Sequence, residues 1–217
     1  MPDLITLPSV VYGPTIMFDP IRTRKTTRMQ GRRTESLFNG TPYWVATYGA
    51  GNLTTVEAAL FDTFNMLASD GGVFAGYDPH RPRPIAYQGS TPLSGVKAGG
   101  GAFNGDAVLQ SITDPLTVVV SGLPVGFQLS PGDYLEVRKT PLVRSLHRIV
   151  APTVANGAGV ITAKIRFALS SQTFAPGNTV HFEKPACIME MDEGSYSLPK
   201  AWPHYSVQFT ASEMFYS

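Results

Sequence analysis

A single cysteine, Cys187, stands in the whole chain. One thiol excludes an intramolecular disulfide and any zinc site built on several cysteines. Its neighbours Ala186 and Ile188 read as a strand entering a core, so the thiol is expected to be buried and inert. Charge is scarce as well: 15% of residues are charged, well under the usual quarter of a globular domain. The net charge of +1 leaves no global basic field to draw in nucleic acid. No GxSxG elbow, HExxH helix or P-loop occurs. The four histidines, at 80, 147, 181 and 204, show no metal-ligand spacing. His147 and His181 fall in expected strands and read as structural, and His80 sits on an expected loop. Gly99-Gly100-Gly101 lacks the preceding strand and following helix of a dinucleotide site, and reads as a flexible loop. Asp133 has no visible partner carboxylate and reads as a turn residue opening a strand. The expectation is a protein that is not an enzyme and needs no cofactor or metal. Met1 to Thr15 has neither a charged n-region nor a long apolar run, so neither a signal peptide nor membrane insertion is expected there.

What is present points to β structure. The 217 residues suffice for one large or two small domains, and 21 Gly, 18 Pro and 11% aromatics mark a turn-rich chain. Pro8 to Phe18 alternates apolar and small residues, with a short strand expected at Val10 to Tyr12. Tyr43 to Tyr48 reads as a strand of aromatic and β-branched residues. Thr54-Thr55-Val56-Glu57 forms a capping-box pattern that opens a helix. In that helix Val56, Leu60, Phe64 and Leu67 make one apolar stripe, expected to lie on a sheet. Asp70-Gly71-Gly72 stops it, and Val73 to Tyr77 reads as a strand.

Ala86 to Gly105 is poor in apolar residues and reads as a linker or loop. Five short strands then follow: Ala107 to Ile112, Leu116 to Val120, Tyr134 to Arg138, Leu146 to Ala151 and Val160 to Phe167. Turn signals separate them, and such spacing with almost no helix argues a small sandwich or barrel. Val180 to Met191 reads as further strand and Ser206 to Phe215 as a terminal one. The last thirty or so residues are expected to return to the first half, which makes the middle block an insertion.

One segment stands out as a candidate site. Arg22, Arg24, Lys25, Arg28, Arg32 and Arg33 occur with no acid until Glu35 and no aromatic among them. Nucleic-acid readers usually interleave aromatics with basic residues, so an acidic protein surface is expected ahead of nucleic acid; the other reading is a solvated loop with no specific partner.

The order of these features resembles distal tail proteins of long-tailed non-contractile phages and related gene-transfer particles. The resemblance rests on the strand Tyr43-Trp44-Val45-Ala46 and the capped helix with Glu57, Phe61 and Phe64. It continues through Gly71-Gly72-Val73-Phe74 to Asp78-Pro79, then Pro131-Gly132-Asp133-Tyr134-Leu135 and Leu146 to Val150. Asn156 to Gly159, Pro176-Gly177-Asn178 and the strand Pro185 to Met191 complete it. It spans about Trp44 to Phe215 and implies a mainly β chain. Residues 1–88 and 185–217 would form a tail-tube-like β-sandwich with one flanking helix, which builds the ring. Residues 89–184 would form an inserted small β-barrel resembling an oligonucleotide/oligosaccharide-binding fold. The implied function is structural: a hexameric homo-oligomer at the virion tail tip, made in the bacterial host cytoplasm. It would join the tail tube protein to the baseplate hub and other tail-tip proteins, with no sequence-specific nucleic acid. The alternative is a carbohydrate-binding host-recognition module. Exposed aromatics would favour it, yet residues 105–170 hold only Phe127, Tyr134 and Phe167. A cell-wall hydrolase would need a carboxylate pair or metal cluster that the sequence does not display.

Overall fold

The computed structural model describes residues 2–13, 16–38, 40–201 and 203–217. Met1, and Pro14 and Thr15 of the alternating stretch, lie outside the described residues. The chain is mainly β, with 42% strand against 9% helix. The first half contains β1 (Leu4–Ile5), β2 (Met17–Ile21), β3 (Arg24–Arg28), β4 (Thr34–Phe38), β5 (Tyr43–Leu53), α1 (Thr55–Ser69) and β6 (Val73–Tyr77). Next come α2 (Ile85–Gln88), β7 (Asp106–Asp114), β8 (Thr117–Ser121), β9 (Gln128–Leu129), β10 (Tyr134–Arg138), β11 (Arg144–Ile149), β12 (Thr153–Val154) and β13 (Ile161–Arg166). β14 (Thr179–His181), β15 (Ala186–Met191) and β16 (Tyr205–Glu213) end the chain. No strand forms at Val10 to Tyr12; the flanking strands are β1 and β2.

Two compact units divide the chain: residues 1–73 with 189–214, and residues 74–188 with 215–217. The segment expected as an insertion, 89–184, lies wholly inside the second. A six-stranded sheet has the order β1-β6-β15-β16-β5-β2. In the first unit, β5 alternates so that Trp44, Ala46, Tyr48 and Ala50 are buried. β16 lies antiparallel to it, with Phe209 opposite Tyr48 and Ala211 opposite Ala46. Residues opposite each other share a face, so these side chains form one apolar surface. Phe18 stacks on Trp44 at 5.4 Å and Tyr48 on Phe209 at 5.3 Å.

Helix α1 lies on this surface. Its start is the expected capping box: Glu57 N–H donates to Thr54 Oγ1 at 3.3 Å, and Thr54 N–H to Glu57 Oε2 at 2.8 Å. Thr54→Ala should cost about 1 kcal/mol, read by chemical denaturation. The expected stripe is corrected. Ala58, Phe61, Phe64 and Ala68 are the buried residues, and Phe61 and Phe64 pack on the Phe209 ring. Val56, Leu60 and Leu67 face outward. The helix carries two apolar faces, and periodicity cannot choose between them. The distant partner decides: Phe209 of β16 takes Phe61 and Phe64, with Ala58 and Ala68 buried beside them. Phe61→Ala should cost about 3–5 kcal/mol, whereas Leu60→Ala should stay within about 0.5 kcal/mol; equal losses in a urea titration would contradict this assignment.

In the second unit, strands close into a barrel in the order β10-β11-β13-β8-β7-β14. All the pairings are antiparallel. In β13, Ile161, Ala163 and Ile165 are buried and the residues between them exposed, one face to the core and one to solvent. Phe127 sits inside, with Tyr87, Phe103 and Phe182 ring centroids at 4.9, 5.4 and 5.1 Å. The oligonucleotide/oligosaccharide-binding fold has five strands; this barrel has six. Residues 86–105 are no simple linker. Leu93 and Phe103 belong to the barrel core, and a bridge between Val96 and Ala102 folds the glycine run into a tight turn. The expected strand Val180 to Met191 is two, β14 and β15, interrupted where Lys184 adopts φ 49° before Pro185. Gly159 is fixed by its surroundings: at φ 67° a Cβ would stand 2.1 Å from Leu123 O.

Candidate functional site

Arg24, Lys25, Arg28, Arg32 and Arg33 lie on a two-stranded arm rather than a plain loop, and Arg22 lies just before it. β3 and β4 pair only with each other, from Arg24 opposite Phe38 to Arg28 opposite Thr34. Gln30 to Arg32 form the tip, closed by Met29 N–H donating to Arg33 O at 2.9 Å, with Gly31 and Arg32 at positive φ. Five residues per strand span about 17 Å. Thr26, Thr27 and Thr34 supply β-branching, but the arm has no alternating apolar face, which is why the sequence pattern did not reveal it. Arg22, Arg24, Lys25, Arg28, Arg32 and Arg33 are all exposed.

Register sorts them. Arg24, Thr26 and Arg28 share a face with Phe38, Ser36 and Thr34; Lys25 and Thr27 share the other with Leu37 and Glu35. The Arg22 guanidinium lies 3.9 Å from the centre of the Phe38 ring, and that of Arg24 lies 5.9 Å from it. Arg24 Nη2 also donates to Ser36 Oγ at 2.7 Å. The sequence reading missed Phe38 because it comes from the opposite strand. Among the described residues, none of the six cations has a carboxylate within 4 Å.

The same unit is polarised. Residues 22–38 hold six of its seven basic side chains and one of its ten acids; Lys200 is the only base elsewhere in the unit. A groove of about 600 Å³ is lined by Asn65 and Ser69 of α1 and by Glu190, Asp192, Glu193 and Tyr196. Asp192 is fixed by the hydroxyls of Thr210 at 2.6 Å and Ser212 at 2.8 Å.

A few titratable groups are embedded in the folded units. In β10, Glu136 is fully buried and accepts from Arg138 Nε at 2.6 Å, Arg144 Nη1 at 3.2 Å and Ala186 N–H at 2.9 Å. Its burial was not legible, because Tyr134 to Arg138 is buried on both faces over four residues. Asp133 opens the strand as expected, accepting from Ser130 N–H at 2.6 Å. Arg81 Nε lies 3.1 Å from its other oxygen, an ion pair without hydrogen-bond alignment. Burial pushes the Asp133 carboxyl up. His147 is buried, with Nδ1 2.9 Å from Phe167 O, and burial holds its pKa down at about 4. His181 pairs with Asp106. Cys187 is buried. In the first unit, burial raises Glu213 to about 7, while it accepts from Trp44 N–H at 2.9 Å.

Phe127 and Tyr134 of the middle block are buried in the second unit. Among the described residues no group of three His, Cys, Asp or Glu could hold a metal, and no helix is long and apolar enough to cross a membrane. No protein-family model matches the chain, and no curated protein matches it either.

Proposed function

We propose that the protein is a structural subunit of a phage-like tail tip, forming a closed ring that connects the tail tube to the baseplate hub. The arm carries this reading. A two-stranded hairpin by itself is marginally stable in water. This one also presents two unpaired strand edges, a liability that proteins ordinarily cover. Six cations without carboxylate partners among the described residues, on a unit that is otherwise acidic, are suited to a protein neighbour rather than to solvent alone.

The parent domain is read as a tail-tube-like sandwich made from 1–88 and 185–217. The barrel within 89–184 is its insertion, related to the oligonucleotide/oligosaccharide-binding type with an added strand. The flanking α1 and the mainly β content support this. The homo-oligomer is a hexamer, with the tail tube protein, the hub and other tail-tip proteins as neighbours. DNA in the tail lumen is a poor partner for the arm, since a cationic lining would hold phosphates and slow passage. Particles purified from the source should contain this chain, and gold-labelled antibody should mark one end of the tail. Absence from such particles, or turnover of purified cell wall that is lost on mutating one acid, would contradict the proposal.

A further inference from the structure

We infer that the outer face of α1, with the acidic groove beside it, is the seat for the hairpin arm of a second copy of the chain. This rests on the ring reading above and names its contact. Val56, Leu60, Met66 and Leu67 are 72, 51, 68 and 48% exposed. At about 100° per residue they fall on one side of the helix, together with Ala59 and Thr63. Going round the helix, Asp62, which pairs with Lys200 of its own copy, comes next, then Asn65 and Ser69, which line the groove with the exposed Glu190 and Glu193. One surface therefore passes from apolar to acidic.

The arm is its complement. Met29, Leu37 and Phe38 are 49, 65 and 49% exposed, interspersed with the six cations. Apolar contact would supply the centre of the interface, and guanidinium–carboxylate pairs its register. Charge selects the occupant. The rest of the unit carries nine acids against Lys200, so an anionic lipid surface or nucleic acid would be repelled there, while a basic arm is attracted. Among the described residues, the arm's cations do not pair with the acids of their own copy. Arm and seat are different surfaces, so the contact is heterologous and each copy can give and receive one arm. Repeated with closure, this makes a ring.

Charge reversal tests this on the full chain. One variant carries Arg24→Glu and Arg28→Glu in the arm; the other carries Glu190→Arg and Glu193→Arg in the seat. All four positions are exposed, so the far-UV circular dichroism should match wild type. By sedimentation velocity at low salt, wild type should assemble and each variant alone should dissociate, weakened at least ~100-fold. An equimolar mixture of the two should reassemble, because the carboxylates introduced in one variant's arm then meet the guanidiniums introduced in the other's seat, and the unchanged arm meets the unchanged seat. Leu60→Glu with Leu67→Glu should also dissociate the wild-type assembly. If wild type assembles and both charge variants do so equally well, the seat is wrong while the ring reading stands. If wild type is monomeric at every concentration, both fail. Binding of short duplex DNA in place of self-association, lost on arm reversal, would overturn the seat in favour of a nucleic-acid arm.

Discussion

Replacing Glu136 by Gln should lower the unfolding free energy of the barrel-containing unit by about 3 kcal/mol, and Glu136→Ala by somewhat more, in the range seen when one partner of a buried ion pair is removed. Glu136 is fully buried and Arg144 nearly so, with 7% of its side chain exposed. Removing the carboxylate charge leaves a guanidinium in a poorly solvated place. Gln keeps an acceptor for Ala186 N–H; Ala leaves that donor unsatisfied as well, which adds about 1–3 kcal/mol. Replacing Glu136, Arg138 and Arg144 together by apolar residues should cost much less than Glu136→Ala, because no uncompensated charge remains. Urea denaturation followed by tryptophan-independent circular dichroism reads the difference. A loss below about 1 kcal/mol for Glu136→Ala, the scale of an exposed pair, would mean that solvent reaches this network.

The second large effect is an opposition between two pH dependences. Glu213 has a pKa of about 7 in the folded protein against 4.5 as a free side chain. Between those values the folded state holds the proton that the unfolded state has lost. Its contribution is therefore present below pH 4.5 and lost as pH rises to 7, amounting to about 3 kcal/mol. His147 runs the other way. Its folded pKa of about 4 lies below the ordinary 6.5, so the unfolded state takes up a proton first as pH falls. That stability is present above pH 6.5 and lost towards pH 4, again about 3 kcal/mol. Asp133, raised by burial, works against His147 only near the ordinary carboxylate range, so around pH 6 the change that opposes His147 is that of Glu213, and the two single variants separate them. Calorimetry from pH 4.5 to 7.5 should show Glu213→Gln gaining on wild type as pH rises, and His147→Leu gaining as pH falls. Differences that do not change with pH would mean that these groups titrate normally in the folded protein.

The sequence was legible wherever local chemistry decides the outcome. The Thr54–Glu57 capping box, the Tyr134 to Arg138 strand and the Pro131-Gly132-Asp133 turn depend on near neighbours, and all are found as read. It was illegible wherever the partner lies far along the chain. The buried face of α1 is chosen by Phe209, from the far end of the chain. Leu93 and Phe103 look like linker residues until the barrel core accepts them. The candidate cations were visible as a charge run, but the arm that presents them was not. Arg22 meets Phe38 only across the hairpin, and the acids that polarise the unit are scattered from Asp3 to Glu213. Glu136 gave no signal because a strand buried on both faces does not alternate.

The ring is the claim on which the function rests. Negative-stain imaging with mass photometry of the purified full chain, over a wide concentration range at low and moderate salt, tests it most directly. The account predicts closed rings of one stoichiometry, six copies, that weaken as salt screens the arm. A particle of monomer mass throughout, or open filaments without closure, would contradict it.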